Sequence, residues 1–288
     1  VLTVESPVGV DYLTAVTTLL QQRRLADPDG EVWEAADLQW WWSRHRHDDP
    51  EDARVWRAGD TPTAAVVLTR WTSVPLGCDV LADADFEPAW AFAAQRCAEL
   101  RAERIETQLP TDDPAIEQAA RRAGFAPSQE TYAVCWLDPA ARREPPRPLP
   151  AGYRVVARAD DRTRPHPMIG RNGAQVEDGL RQCSLYDAGV DLAVLAPDDS
   201  VAGYALFWPD RVTGVGLVEP MRVEDAHAGR GLGAQLLDAG LRGLTERGCT
   251  RLKVSVEPAN TPAVRLYTGA GFVPTRVDRT WLYTGSAG

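Results

Sequence analysis

Three glycines at alternate positions, Gly229, Gly231 and Gly233, stand between two different hydrophobic periods. Before them Val215, Leu217, Glu219, Met221 and Val223 recur at every second residue, the spacing of a strand. After them Leu232, Leu236, Leu237, Leu241 and Leu244 fall at helical spacing, with Gly248 as a stop. Leu252, Val254 and Val256 then alternate as a second strand. Thr261-Pro262 opens a short helix that ends at Gly269 and Gly271. A strand entering a helix through glycines leaves the first N–H groups of that helix free, at the positive end of its dipole. Glycine also admits a ligand to close range. Such a turn suits a phosphate or pyrophosphate, and suits equally a tight strand-to-helix turn with no ligand.

The neighbouring residues narrow the choice. A Walker loop requires Lys-Ser/Thr after its glycines, and this chain has Ala234-Gln235 there. The spacing Gly-Arg-Gly-Leu-Gly does not match the dinucleotide fingerprint. Val223 to Gly233, followed by Asn260, Ala263, Leu266, Tyr267, Gly271 and Phe272, resembles the GNAT superfamily of acyl-CoA-dependent N-acyltransferases. That family has an (Arg/Gln)-x-x-Gly-x-Gly/Ala loop over the CoA pyrophosphate and an Asn-x-x-Ala-x-x-Leu-Tyr…Gly-Phe helix beside the thioester. The second pattern is met almost throughout by NTPAVRLYTGAGF, whereas Ala228 occupies the Arg/Gln position of the first. The resemblance covers residues 151–288 and implies an α+β fold, a mixed and mostly antiparallel sheet flanked by helices.

The resemblance also implies site roles. Backbone groups of Met221, Arg222 and Val223 are expected along the pantetheine. Ala228, Gly229, Arg230, Gly231, Leu232, Gly233 and Ala234 are expected at the pyrophosphate, with Asn260, Ala263 and Tyr267 completing the acetyl-CoA site. Tyr267 takes the family position of the general acid near the sulfur. Glu219 is the leading base, because a carboxylate interrupts an apolar row and burial raises a carboxyl pKa. Glu257, at the end of the next strand, is its rival. Pro220 removes a ladder donor and predicts a bulge or splay in the strand. Tyr186 is a weaker candidate for substrate contact.

The rest of the chain reads as a second, altered copy. Ile105–Pro127 aligns with Leu252–Pro274, so that Gly124-Phe125 falls on Gly271-Phe272, Asp113 on Asn260 and Ala120 on Tyr267. Where the glycines should stand the first half has LADADFEPAW, and Asp83, Asp85 and Glu87 would repel a pyrophosphate. REPPRPLPAG, rich in proline, reads as a stiff connector. The expected organisation is a degenerate GNAT-like domain over residues 1–142, a linker over 143–152 and an intact domain over 153–288. Its tandem plan resembles two-domain GNAT proteins of the mycothiol synthase type. Helices are expected over Val10–Leu25, Ala35–Arg46, Phe86–Arg101, Ala115–Ala123 and about Pro167–Gln182. Trp40, Trp41 and Trp42 cannot share one helix face, so at least one is expected against another domain, a ligand or a partner.

Charge and cysteine content bound the partners. The net charge is −10, and residues 1–150 hold 15 Lys+Arg against 25 Asp+Glu, while 151–288 hold 16 of each. Such a balance disfavours nucleic acid. No apolar run is long enough to span a bilayer, and Val1–Leu20 lacks the pattern of a signal peptide. Five scattered cysteines read as reduced thiols, hence a cytoplasmic location. Neither they nor His45 and His47 have metal-ligand spacing, so no metal is expected. The function expected is transfer of an acetyl group from acetyl-CoA to a primary amine of a small molecule or peptide, in a monomer or homodimer. The alternative is an acyl-CoA-binding sensor or interaction module without turnover.

Overall fold

A computed structural model describes residues 2–43, 52–70, 76–100, 102–143 and 146–285. The chain forms two compact units, residues 1–132 with 276–288, and residues 133–275. The first unit contains β1 (Leu2–Glu5), α1 (Gly9–Ala26), α2 (Ala35–Trp42), β2 (Ala53–Ala58), β3 (Thr61–Arg70), β4 (Leu76–Leu81), α3 (Glu87–Leu100), β5 (Ile105–Pro110), α4 (Pro114–Arg122) and most of β6 (Phe125–Leu137). The second contains the end of β6, then β7 (Arg154–Ala157), α5 (Ile169–Asn172), α6 (Val176–Gln182), β8 (Asp191–Leu195), β9 (Val201–Asp210), β10 (Val215–Val223), α7 (Leu232–Glu246), β11 (Arg251–Val256), α8 (Thr261–Ala270) and the start of β12 (Val273–Tyr283).

Both units follow one plan. Strands run in the order β1-β2-β3-β4-β5-β12 in the first and β6-β11-β10-β9-β8-β7 in the second. Neighbours are antiparallel except β4 with β5 and β10 with β11. The mixed, mostly antiparallel sheets flanked by helices are those expected. The internal repeat also has structural counterparts. Asp113 and Asn260 cap the N-termini of α4 and α8 through their side chains. Gly124 and Gly271 follow the two helices with φ of 87° and 111°.

The boundary expected at the Pro-rich segment is not where the units divide. Residues 146–152 lie inside the second unit, where the Gln235 amide donates to the carbonyls of Pro146 (3.0 Å) and Arg147 (2.7 Å). The last strand departs too: its Asp278–Leu282 stretch pairs with Pro110–Glu106 of β5, in the first unit. Residues 153–288 therefore do not form one body.

The core of the second unit is the leucine face of α7 laid on β9 and β10, with Leu232, Leu236, Leu237, Leu241 and Leu244 all buried beside Phe207 and Val218. The helix expected over 167–182 is two short ones, divided by Gly173 at φ 89°. The three tryptophans of α2 are all buried, and Trp41 meets Trp33 edge-on at 4.8 Å while Trp42 meets Tyr12 at 5.8 Å, both within the first unit. All five cysteines are free and buried. Among the described residues no helix is long and apolar enough to cross a membrane.

Candidate active site

Strand β10 bulges where Pro220 interrupts it. Val218 pairs with Phe207 and Met221 with Ala205, so Glu219 and Pro220 together face one residue of β9. The Glu219–Pro220 bond is cis. On its other side β10 pairs with β11 only from Val215 to Leu217, although both strands continue. Val218 to Val223 thus present a strand edge with no β11 partner, the place where an extended chain can add hydrogen bonds. Met221, Arg222 and Val223 lie along this edge, all partly buried.

The bulge corrects one expectation. Leu217, Glu219, Met221 and Val223 do not form one continuous face. Val218, Met221 and Val223 pack with the α7 core, whereas Val215 belongs with Val134 and Trp136. One extra residue reverses the alternation. Glu219 sits at the reversal, half-buried. Its carbonyl accepts from the indole N–H of Trp208 at 2.5 Å.

Beyond the strand edge the chain turns through Asp225–His227, a single 3₁₀ turn, to the glycines. Gly229 and Gly231 have φ of 73° and 77°, and a Cβ on either would meet nothing within 4 Å. The left-handed angle is what requires glycine there. Gly231 caps α7 without a side-chain hydrogen bond, and the first backbone bond of the helix is Gln235 N–H to the Gly231 carbonyl. The N–H groups from Gly229 to Ala234 have no hydrogen-bond partner among the described residues. Ala228 and Arg230 are exposed beside them, while Leu232 is buried in the core. An anion is the natural partner for such a row.

Tyr267 comes from α8, which holds it 8% exposed, its ring edge-on to Phe272 at 5.9 Å. Burial raises its phenol above the ordinary range, and the negative charge of Glu219 and the Cys135 thiol add to the effect. Tyr267 therefore keeps its proton at neutral pH, near the Glu219 carboxylate. Asn260 spends its side-chain oxygen on the N–H of Ala263 at 3.2 Å, and Ala263 packs against the core. Gly271 is left-handed as α8 ends, and a Cβ on it would meet the Ala141 carbonyl at 3.1 Å. Those motif positions shape the helix that carries Tyr267. Glu257 is exposed, unlike Glu219.

Tyr186 is committed elsewhere. Its hydroxyl donates to Asp191 at 2.7 Å, and Asp191 also meets His166 at 2.9 Å, both of them buried. The ring of Tyr186 lies edge-on to Trp208 at 6.4 Å. Trp208, Asp191 and His166 thus form a buried support behind Glu219 that no spacing in the sequence announces. Among the described residues no three His, Cys, Asp or Glu side chains gather as metal ligands; His45 and His47 lie outside the described residues.

In the first unit the corresponding turn is built differently. The Phe86 N–H donates to the Asp83 carbonyl (3.1 Å), Glu87 to Asp85 (2.9 Å) and Ala89 to Phe86 (3.2 Å). Donors that stand free before α7 are consumed before α3.

Comparison with known proteins agrees with this geometry. Residues 157–272 match the acetyltransferase (GNAT) family. A mycothiol acetyltransferase of Nocardia farcinica is 38% identical over 104 residues, 34% of this chain and 34% of that protein. One from Kineococcus radiotolerans is 31% identical over 229 residues, 78% of this chain and 60% of that protein. The chain spans less than two thirds of the length of these curated relatives. A solved tandem GNAT protein from the clavulanic acid biosynthesis pathway superposes with a TM-score of 0.66 at 19% identity, covering 98% of both chains. With its motifs and family match in the second unit and this fold across both, the chain belongs to the GNAT superfamily, in the tandem arrangement.

Proposed function

We propose that the chain is an N-acetyltransferase that moves the acetyl group of acetyl-CoA to a primary amine of a small molecule or peptide, with the second unit as its catalytic part. The observation that carries this reading is the pairing of a protonated, buried Tyr267 with Glu219 at the point where β10 leaves β11. The free N–H row from Gly229 to Ala234 suits the pyrophosphate, with Arg230 beside it. The open edge of Met221 to Val223 suits the pantetheine arm. Asn260 and Ala263 act by forming the start of α8.

In this mechanism Glu219 accepts the proton of the acceptor ammonium, directly or through water, and frees its lone pair. The amine nitrogen bonds to the thioester carbon, the C–S bond breaks, and Tyr267 donates its proton to the departing thiolate. Positioning along the strand edge supplies much of the remaining acceleration. The first unit, whose corresponding turn has no free donors and bears Asp83, Asp85 and Glu87, serves as scaffold or shapes the substrate site without holding CoA.

Calorimetric titration with acetyl-CoA tests the donor: one site per chain is expected, abolished by Gly231→Val, which forbids the left-handed angle. Thiol release with an amine panel tests the chemistry, and the names of the relatives put a mycothiol-type acceptor first in that panel. Tyr267→Phe and Glu219→Gln should each lower kcat by roughly 10²- to 10⁴-fold with acetyl-CoA affinity kept. Unchanged turnover in both variants would leave the fold and overturn the mechanism. Tight acetyl-CoA binding with no turnover on any amine would favour the sensor reading, which Ala228 at the Arg/Gln position suggests.

A further inference from the structure

The first unit keeps the strand parting without the donor row. Strands β4 and β5 pair in parallel only at Leu76–Ile105 and Gly77–Glu106, although they run on to Leu81 and Pro110. A cleft of about 670 Å³ opens past that point, lined by Val80 to Ala84, Thr107 to Pro110 and the segment after α1. This volume is that of a small-molecule site. A cleft so placed, between the ends of two adjacent strands, is a formed concavity rather than a surface irregularity.

Its lining decides what it can hold. Six carboxylates border it, those of Asp27, Asp29, Glu31, Asp83, Asp112 and Asp113. Against them stand two guanidinium groups, both already engaged. Arg23 pairs with Glu31 at 2.9 Å and Asp83 at 3.1 Å. Arg276 donates to the carbonyls of Asp29, Gly30 and Glu31 and pairs with Asp278 at 2.8 Å. Hydrogen bonds from the backbone N–H groups of Gly30 and Asp29 lower the Asp27 pKa and keep it anionic. The α3 N-terminus offers an anion nothing, since its leading donors are bonded within the turn and the Trp90 indole also donates to the Asp83 carbonyl. Phosphate-bearing ligands are thus repelled.

The carboxylates are also spread round the cleft and do not converge. No three acidic, His or Cys side chains among the described residues gather closely enough to ligate one metal ion. Such dispersed charge suits several cationic centres along one organic molecule. Trp33 adds an aromatic wall, and an indole attracts an ammonium group.

We propose that the first unit holds a binding site for a small organic polycation in the cleft between the parted ends of β4 and β5. The site is separate from the acetyl-transfer site and stands whether or not the second unit transfers acetyl groups.

Spermidine is the probe. Calorimetric titration of the full chain at low ionic strength should give one spermidine per chain. The double variant Asp83→Asn/Asp112→Asn removes two exposed rim carboxylates and leaves the fold intact by circular dichroism. Its spermidine Kd should rise about tenfold, consistent with two lost charge contacts of order 1 kcal/mol or less each. Glu219→Gln, in the second unit, should leave that Kd unchanged. Absence of spermidine binding, an unaltered Kd in the double variant, or loss of binding in Glu219→Gln would each overturn the proposal. So would a second acetyl-CoA site that spermidine displaces.

Discussion

Asp79 is 5% exposed, and the groups around it are the Thr107 hydroxyl, the Trp33 indole, the Gln108 backbone and the carboxylate of Glu106. Burial raises its pKa from 3.8 to about 7, against hydrogen bonds from Thr107 and Trp33 that lower it; the Glu106 charge adds to the rise. The folded chain therefore holds a proton that the unfolded chain has released. Stability from this group is present below the unfolded value and is lost as pH rises from about 4 to about 7, at most on the order of 4 kcal/mol. Asp79→Asn removes the titration. Urea unfolding of both proteins should show the variant gaining on the parent between pH 4.5 and 8; a constant difference would contradict the assignment. At this scale much of the candidate site was legible. Tyr267 stands in a motif, and Glu219 was conspicuous as a carboxylate in an apolar row. Its orientation was not legible, because period two assumes an unbroken strand and the bulge at Glu219-Pro220 resets the faces. Trp208 was invisible, since its bond to the Glu219 carbonyl crosses between strands.

Elements with one uninterrupted period were read well, and those shaped by close approach were not. α7 appears where its leucines place it, yet its fit to the sheet depends on two glycines the pattern leaves unexplained. A Cβ on Gly240 would lie 2.0 Å from the Phe207 ring, and one on Gly243 would lie 2.4 Å from Val190. In an exposed helix Gly→Ala stabilises by about 1 kcal/mol. Here overpacking costs about 1–3 kcal/mol and wins. Gly240→Ala should therefore lower the unfolding free energy, read by urea titration, and Gly240→Ala/Phe207→Leu should recover part of the loss. A stabilised single variant would mean that α7 does not lie this close to β9. The 167–182 region failed as one helix because Gly173 takes a left-handed angle that ends the first turn. Strands β1 and β12 lay outside the expected set. Four residues are too few to show a period, and β12 is exposed at its start, buried only from Asp278 onward.

At the scale of the molecule, chain order and structural units disagree. The Pro-rich segment is the conspicuous break in composition, but composition reports stiffness and not pairing. Strand β6 ends in the second unit, where Ala133–Leu137 pairs with β11, and β12 ends in the first, where Asp278–Leu282 pairs with β5. Which sheet a strand joins is a long-range choice that its own alternation does not encode. The consequence is energetic. Trp281 is fully buried in the first unit, beside Phe125, Ile105 and Leu109, and Tyr283 stacks edge-on to Phe125 at 5.4 Å. A fragment of residues 1–142 lacks this strand and both rings, and a fragment of residues 153–288 lacks Val134, Cys135 and Leu137. Removal of one large buried aromatic costs about 3–5 kcal/mol, a large share of the stability of a domain. Neither fragment should therefore give dispersed amide resonances or resist limited proteolysis alone, although the cut lies in the segment most like a linker. Trp281→Ala in the full chain should expose the first unit to proteolysis before the second. Two fragments that each fold alone would mean that the strands are not exchanged, and that the Pro-rich segment is the boundary after all.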